Sequence, residues 1–261
     1  MTNEDGWAEF SVRFEGPGLH TVVVEAVKKH EDSERRGEEV FLVACRTAER
    51  VSVVLDVDDT LTASDAQFLS SHPEVRDGET VAVVSRLAER YDLIYLTGRL
   101  RWGTPRTRAW LREMGFPAAP LFVRDIKQTL AIRAATFKEE ALGELRRRFP
   151  NIVVGVGDED GDVEAYTENG MLAILIEEEE DESWNVKKWS QIRELLLAED
   201  VTFADQLSGE TRLNGTRWRF RCQRRQGEWV LSGSGMAPVK GAWPHVRQAL
   251  FDYLKARGGE Q

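Results

Sequence analysis

The chain has 261 residues, 41% of them hydrophobic, and a formal net charge of −10. That length can bury a sizeable core, and with only two cysteines, Cys45 and Cys222, a disulfide framework or a thiolate zinc site is excluded. No apolar run is long enough to cross a membrane, and the acidic start MTNEDGWAEF lacks a secretory pattern, so a reduced cytoplasmic setting is expected.

Residues 1–50 read as a β-rich segment. AEFSVRF alternates apolar and polar residues, LHTVVVEAV is rich in β-branched residues, and EEVFLVAC follows the charged stretch KKHEDSERRGEE, read as a turn. From 51 to 200 strands and helices alternate. The buried-strand candidates are VSVVLDV, DLIYLT, APLFV, NIVVGVG and MLAILIE. Helical stretches run from DGETVAVVSRLAERY through TPRTRAWLREMG to DIKQTLAIRAATFKEEALGELRRRF, with Asp77 or Thr104 as starts and Gly115 and Pro150 as stops. Such alternation predicts an α/β fold, a parallel sheet with helices on both faces, whose ligands sit beyond the carboxyl ends of the strands.

Residues 201–261 change character. They hold ten Lys/Arg against five Asp/Glu, whereas the rest of the chain carries −15. Asn214-Gly215 is a strong hairpin signal, and Arg217, Arg219 and Arg221 alternate with Trp218, Phe220 and Cys222 along the strand that follows. The closing AWPHVRQALFDYLKAR places Val246, Leu250 and Leu254 at helical spacing, so this module is expected to be a small β-meander plus helix. Trp184, Trp189 and Trp243 are read as packing residues, and EEEEDE at 177–182 as a solvated loop.

Four stretches carry chemistry. VSVVLDVDDT ends an apolar strand in Asp56, Asp58 and Asp59; one carboxylate can attack a substrate while a second moves a proton, and a cation would stabilise the crowd. LIYLTGR ends a second strand in Thr97, Gly98 and Arg99, where a hydroxyl and a backbone N–H suit a phosphate oxygen. Lys138, near the start of a helix and so against its dipole, supplies a point charge. VVGVGDEDGD ends a further strand in Asp158, Asp160 and Asp162, oxygen ligands of the kind a hard cation such as Mg²⁺ accepts.

In that order, DVDDT, LTGR, Lys138 and GDEDGD resemble the four motifs of the haloacid dehalogenase-like phosphatases, over roughly residues 51–180. The resemblance implies a Rossmann-like core, with Asp56 as the nucleophile that forms an aspartyl-phosphate and Asp58 as acid/base. It also implies phosphate binding by Thr97, Gly98 and Lys138, and Mg²⁺ held by Asp56, the backbone carbonyl of Asp58, Asp158 and Asp162. Asp59 departs from the family, in which Gly is commonest at that place. About forty residues separate the first two motifs, too few for a large cap, so a bulky substrate is expected.

Locally, TFKEEALGELRRRFPNIVVGVGDEDGDVEAY is similar to the lipin-type phosphatidate phosphatases through Phe137, Lys138, Gly155, Gly157, Asp162 and Tyr166. Asp158 and Glu159 depart from that layout. This resemblance implies a phosphorylated lipid as substrate and peripheral attachment at a membrane surface. The alternatives are a phosphorylated polymer such as a nucleic-acid end, held by the basic module with its tryptophans as stacking platforms, and a non-catalytic module that binds phosphorylated ligands. The sequence leaves the oligomeric state open.

Overall fold

The computed structural model describes residues 11–30, 33–47, 49–63, 73–125, 134–177 and 179–258. The chain divides into two compact units, Met1–Thr47 and Ala48–Gln261.

In the first unit β1 (Gly18–His30) and β2 (Ser33–Cys45) form an antiparallel pair in continuous register from Gly18↔Cys45 to His30↔Ser33. The charged stretch KKHEDSERRGEE, expected as a turn, is mostly strand. Antiparallel backbone pairing does not require apolar side chains, and alternating residues such as Glu25 and Arg36, 3.9 Å apart, remain solvated on their face. Of the expected first strand AEFSVRF, residues 11–14 have no regular structure and residues 8–10 lie outside the described residues.

The second unit is built on a six-stranded parallel sheet. Its strands are β3 (Ser52–Leu55), β4 (Asp92–Leu100), β5 (Leu121–Arg124), β6 (Ile152–Gly157), β7 (Leu172–Ile176) and β8 (Trp184–Val186), in the spatial order β5-β4-β3-β6-β7-β8. β8 is an addition to the sequence reading, in which three residues inside a polar stretch gave no period to detect. The chain leaves β3 on one side toward β4 and later returns on the other as β6. The loops that follow these three neighbouring strands therefore meet at one carboxyl edge, the switch point where such sheets bind ligands.

The central strands are buried on both faces, which is why they read as unbroken apolar runs. Val53 and Leu55 join the core formed by α1 (Thr80–Arg90), α2 (Thr104–Glu113) and α5 (Trp189–Leu197). Val54 joins a second core with α3 (Ala134–Arg148) and α4 (Asp160–Glu168). Part of the predicted helix 125–149 falls outside the described residues, and its described portion begins at Ala134. Helices thus cover both faces, as expected.

Residues 201–258 form the antiparallel sheet β9 (Gln206–Leu213), β10 (Thr216–Arg225), β11 (Glu228–Gly233) and β12 (Met236–Gly241), followed by α6 (Trp243–Gly258). Asn214 and Gly215 both take positive φ, 52° and 71°, as a two-residue hairpin with the strands' own twist requires. Trp218, Phe220, Trp229 and Leu231 are buried in the same hydrophobic core as β3 and α5, and Trp243 packs against Trp184 and Trp229 at ring-centre distances of 5.6 and 5.0 Å.

Two buried arginines fasten this segment. Arg247 of α6 donates to the Leu195 and Ala198 carbonyls at the end of α5, at 3.1 and 3.2 Å. Arg146 of α3 donates to Ile152 O and, at 3.3 Å, to Leu254 O of α6. Burial lowers the Arg146 guanidinium to about 10, so it remains a cation at neutral pH beside the negative ends of peptide dipoles. Composition separates residues 201–261 as a module, while packing makes their described part continuous with the α/β core.

Candidate active site

Asp56 follows the last residue of β3 and still pairs with β6, its N–H donating to Val156 O at 3.0 Å. This bond carries the extended backbone one residue past the strand and fixes where the carboxylate starts. The chain then turns: Leu61 N and Thr62 N both donate to Val57 O, and Thr60 N donates to Asp58 O. From the other side Trp189 of α5 donates its indole N–H to Thr60 O at 3.0 Å. Asp59 has φ 50°, in the left-handed region, and its N–H donates to the Thr62 hydroxyl at 3.0 Å. The position where the resembling family favours Gly is thus one that needs positive φ, and Asp is among the few other residues that tolerate it.

Asp56, Asp158 and Asp162 meet at this edge, each offering an oxygen within 4.8 Å of the others. Asp56 and Asp162 are 3% and 1% exposed, so little water reaches them. Lys138 lies between these two, 2.8 Å from Asp56 and in direct contact with Asp162. Asp158 accepts a bond from the Thr60 hydroxyl at 2.6 Å. Phe137, buried in the core under α3, holds the adjacent Lys138 inward.

The electrostatics follow from three acids sharing one cation. Burial pushes Asp56 well above its ordinary value; Lys138 opposes that, while Asp162 and Asp158 add to it. Burial alone would lower Lys138, but Asp56 and Asp162 outweigh it and hold the ammonium charged. Burial raises Asp158 to about 7, against the Thr60 bond and with the help of the Asp162 charge. The cluster is short of positive charge and made of hard oxygen donors, which fits a divalent cation of the Mg²⁺ type.

The pH dependence follows from this shift. A carboxyl whose folded value lies above its unfolded one stabilises the fold at acid pH, and that contribution is lost as pH rises through the folded value. In EDTA the melting temperature is therefore expected to fall as pH rises from the ordinary carboxylate value of 3.8 to the Asp158 value of about 7, and to level off above it. A divalent cation should raise it most on the alkaline side. Melting curves across that range check this, and pH-independent melting in EDTA would contradict it.

Asp58 stands apart from the cluster. Its carboxylate receives Arg99 in a forked contact, with Nε 2.9 Å from both oxygens and Nη2 2.5 Å from Oδ1, and accepts the Thr97 hydroxyl at 3.1 Å. The register between β4 and β5 shifts between Thr97 and Leu100, the stretch that holds Gly98, and irregularities of this kind re-aim side chains at sheet ends. Arg99 also donates to Thr107 of α2 at 3.1 Å, which locks the guanidinium. The sequence reading gave Arg99 no role. Its signal was available, as a cation at a strand end beside an expected acid/base.

The predicted residues therefore fall into two adjoining groups: Asp56, Lys138, Asp158 and Asp162 in one, Asp58, Thr97 and Arg99 in the other, with Gly98 between Thr97 and Arg99. Of the three arginines that alternate along β10, Arg217 and Arg219 are engaged with acids of the same unit, while Arg221 is exposed. Arg217 lies 2.8 Å from Glu210 and 3.2 Å from Glu182, and Arg219 lies 2.8 Å from Glu210. Trp218, Phe220 and Trp229 are buried and present no face to a base.

Comparison with known proteins gives one family match. Residues 53–176, a little under half of the chain, match the family described as PITM 1-3, LNS2 domain. The matched segment includes Asp56, Asp58, Thr97, Lys138, Asp158 and Asp162, and supports the lipin-type, phosphatidate-phosphatase-like resemblance. No curated protein matches. Among solved structures, a chain of the Pnkp1/Rnl/Hen1 RNA repair complex is similar at 15% identity with a TM-score of 0.42. That likeness covers 51% of this chain and 44% of the other.

Proposed function

We propose that the protein is a Mg²⁺-dependent phosphatase of the haloacid dehalogenase type that hydrolyses a phosphomonoester on a lipid. The observation that carries this reading is the group of Asp56, Asp158 and Asp162, two of them buried, with Lys138 as the one contacting cation among the described residues, at the carboxyl edge of a parallel sheet. Asp56, Asp158 and Asp162, with the Asp58 carbonyl implied by the family resemblance, would hold Mg²⁺. When bound, the ion would neutralise carboxylate and phosphate charge that would otherwise repel. The lipid assignment draws on the LNS2 match and the similarity to lipin-type domains.

In this reading an Asp56 oxygen attacks phosphorus and the bond to the alcohol oxygen breaks, with Asp58 delivering a proton to that oxygen. Asp58 then takes a proton from water, whose oxygen displaces Asp56 and releases phosphate. Arg99 grips the Asp58 carboxylate in a forked contact, so Asp58 must loosen its hold on Arg99 to deliver a proton in the first half-reaction. Lys138 opposes the effect of burial on Asp56 and places a positive charge beside the attacking oxygen.

Turnover of phosphatidate in micelles, sugar phosphates, phosphopeptides and 5′-phosphorylated oligonucleotides tests the substrate. Phosphatidate is expected to be preferred, with activity lost in EDTA. A preference of orders of magnitude for a soluble sugar phosphate would refute the lipid assignment, and no turnover of any substrate would leave a binding module.

A further inference from the structure

The rim of the site carries an unusual combination of groups. Between Asp92 and Glu113 the chain runs twenty residues with five arginines and no acid, in a protein of net charge −10. Arg99 turns inward to Asp58. The next residues leave β4 in a short 3₁₀ turn, Arg101–Gly103, which leads into α2. This turn presents Trp102, 61% exposed and the most exposed large apolar side chain among the described residues. Arg101 beside it is exposed, with a long 3.7 Å contact to Asp125, and Arg106 is exposed in the first turn of α2, which holds no acid. Arg124 is paired in register with Leu100. A fold that buries the six other tryptophans among the described residues places this one outward, among cations, at the edge where Asp56 lies.

We propose that Trp102, Arg101 and Arg106 form a docking surface for an anionic phospholipid bilayer, a surface that brings the site to its substrate; this rests on the lipid-phosphatase reading above. An indole is at its most stable at the level of the headgroups, with its ring toward the acyl chains and its N–H in water. Arginines alongside gain from the negative surface potential, and each adds to the attraction within a Debye length of the membrane. Charge complementarity is local: the twenty residues around this turn carry five arginines and no acid, whereas the rest of the chain is net acidic, which favours the rim as the face turned to the membrane. A nucleic acid would need several rings for successive bases, and among the described residues Trp102 is the one exposed aromatic of the rim.

The test uses the full chain and vesicles of phosphatidylcholine alone or with phosphatidylserine, a diester that a monoesterase does not consume. Sedimentation with the anionic vesicles is expected, weakening with salt, and little with the neutral ones. Arg101→Glu/Arg106→Glu should weaken it about ten-fold or more. Trp102→Ala should weaken it several-fold and Trp102→Phe less, with unchanged melting temperatures showing that the variants fold. Asp56→Asn should bind as the wild type does, so loss of docking and loss of catalysis are separable. Equal binding to both vesicle types, or unchanged binding by both the Trp102→Ala and the charge-reversal variants, overturns the proposal. So does binding of a 5′-phosphorylated oligonucleotide through the same residues without binding of vesicles.

Discussion

Asp56→Asn is expected to reduce hydrolysis of a soluble aryl phosphate by about four orders of magnitude or more, and at the same time to stabilise the metal-free protein at neutral pH. The first effect follows from the loss of the attacking oxygen. The second follows from the neighbourhood. Burial holds the Asp56 carboxyl well above its ordinary value, so the group costs the fold stability as pH rises above the ordinary carboxylate range. An amide of the same shape removes one of three mutually repelling acids and leaves Lys138 its contact with Asp162. Initial rates with Mg²⁺ and melting curves in EDTA check the two parts. A variant that is dead and also strongly destabilised would mean that the Asp56–Lys138 contact holds the fold together. A variant as active as the wild type would remove Asp56 from the mechanism.

That combination of effects was only half legible in the sequence. The strands were legible because full burial in a parallel sheet leaves long apolar runs, and the acids stood out because each ended such a run. Their grouping follows from strand order, in which β4 and β6 flank β3, and no local pattern announces that order. Arg99 was passed over because an arginine after a Thr-Gly pair looks like an ordinary turn until the β4–β5 register shift directs it at Asp58. β8 was missed because Trp184, Asn185 and Val186 pair with β7 over only three residues. The basic face of β10 was legible as alternation, but the pairing of Arg217 was not: Glu182 and Glu210 reach it from elements distant in sequence or on the neighbouring strand.

The pair Gly155 and Gly157 can be separated by two substitutions with different consequences. Neither glycine takes a positive φ, so the backbone does not require glycine at either place; the space beside each does. A Cβ on Gly155 would lie 2.3 Å from the Tyr166 ring, which is fully buried and donates its hydroxyl to Val156 O at 3.1 Å. That ring has nowhere to move, so Gly155→Ala is expected to destabilise the protein by about 3 kcal/mol or more. A Cβ on Gly157 would lie 2.4 Å from Asp162 Oδ2, at the cation cluster itself. Gly157→Ala must therefore push the Asp162 carboxylate away from Lys138 and Asp56. Its expected signature is a loss of activity and of stabilisation by Mg²⁺ out of proportion to any loss of stability in EDTA. Denaturant unfolding with and without Mg²⁺, run on both variants, distinguishes them. If both lose stability equally and Gly157→Ala keeps the full response to Mg²⁺, then Asp162 is not held in the cluster by the strand beneath it, and the glycine pair serves packing alone.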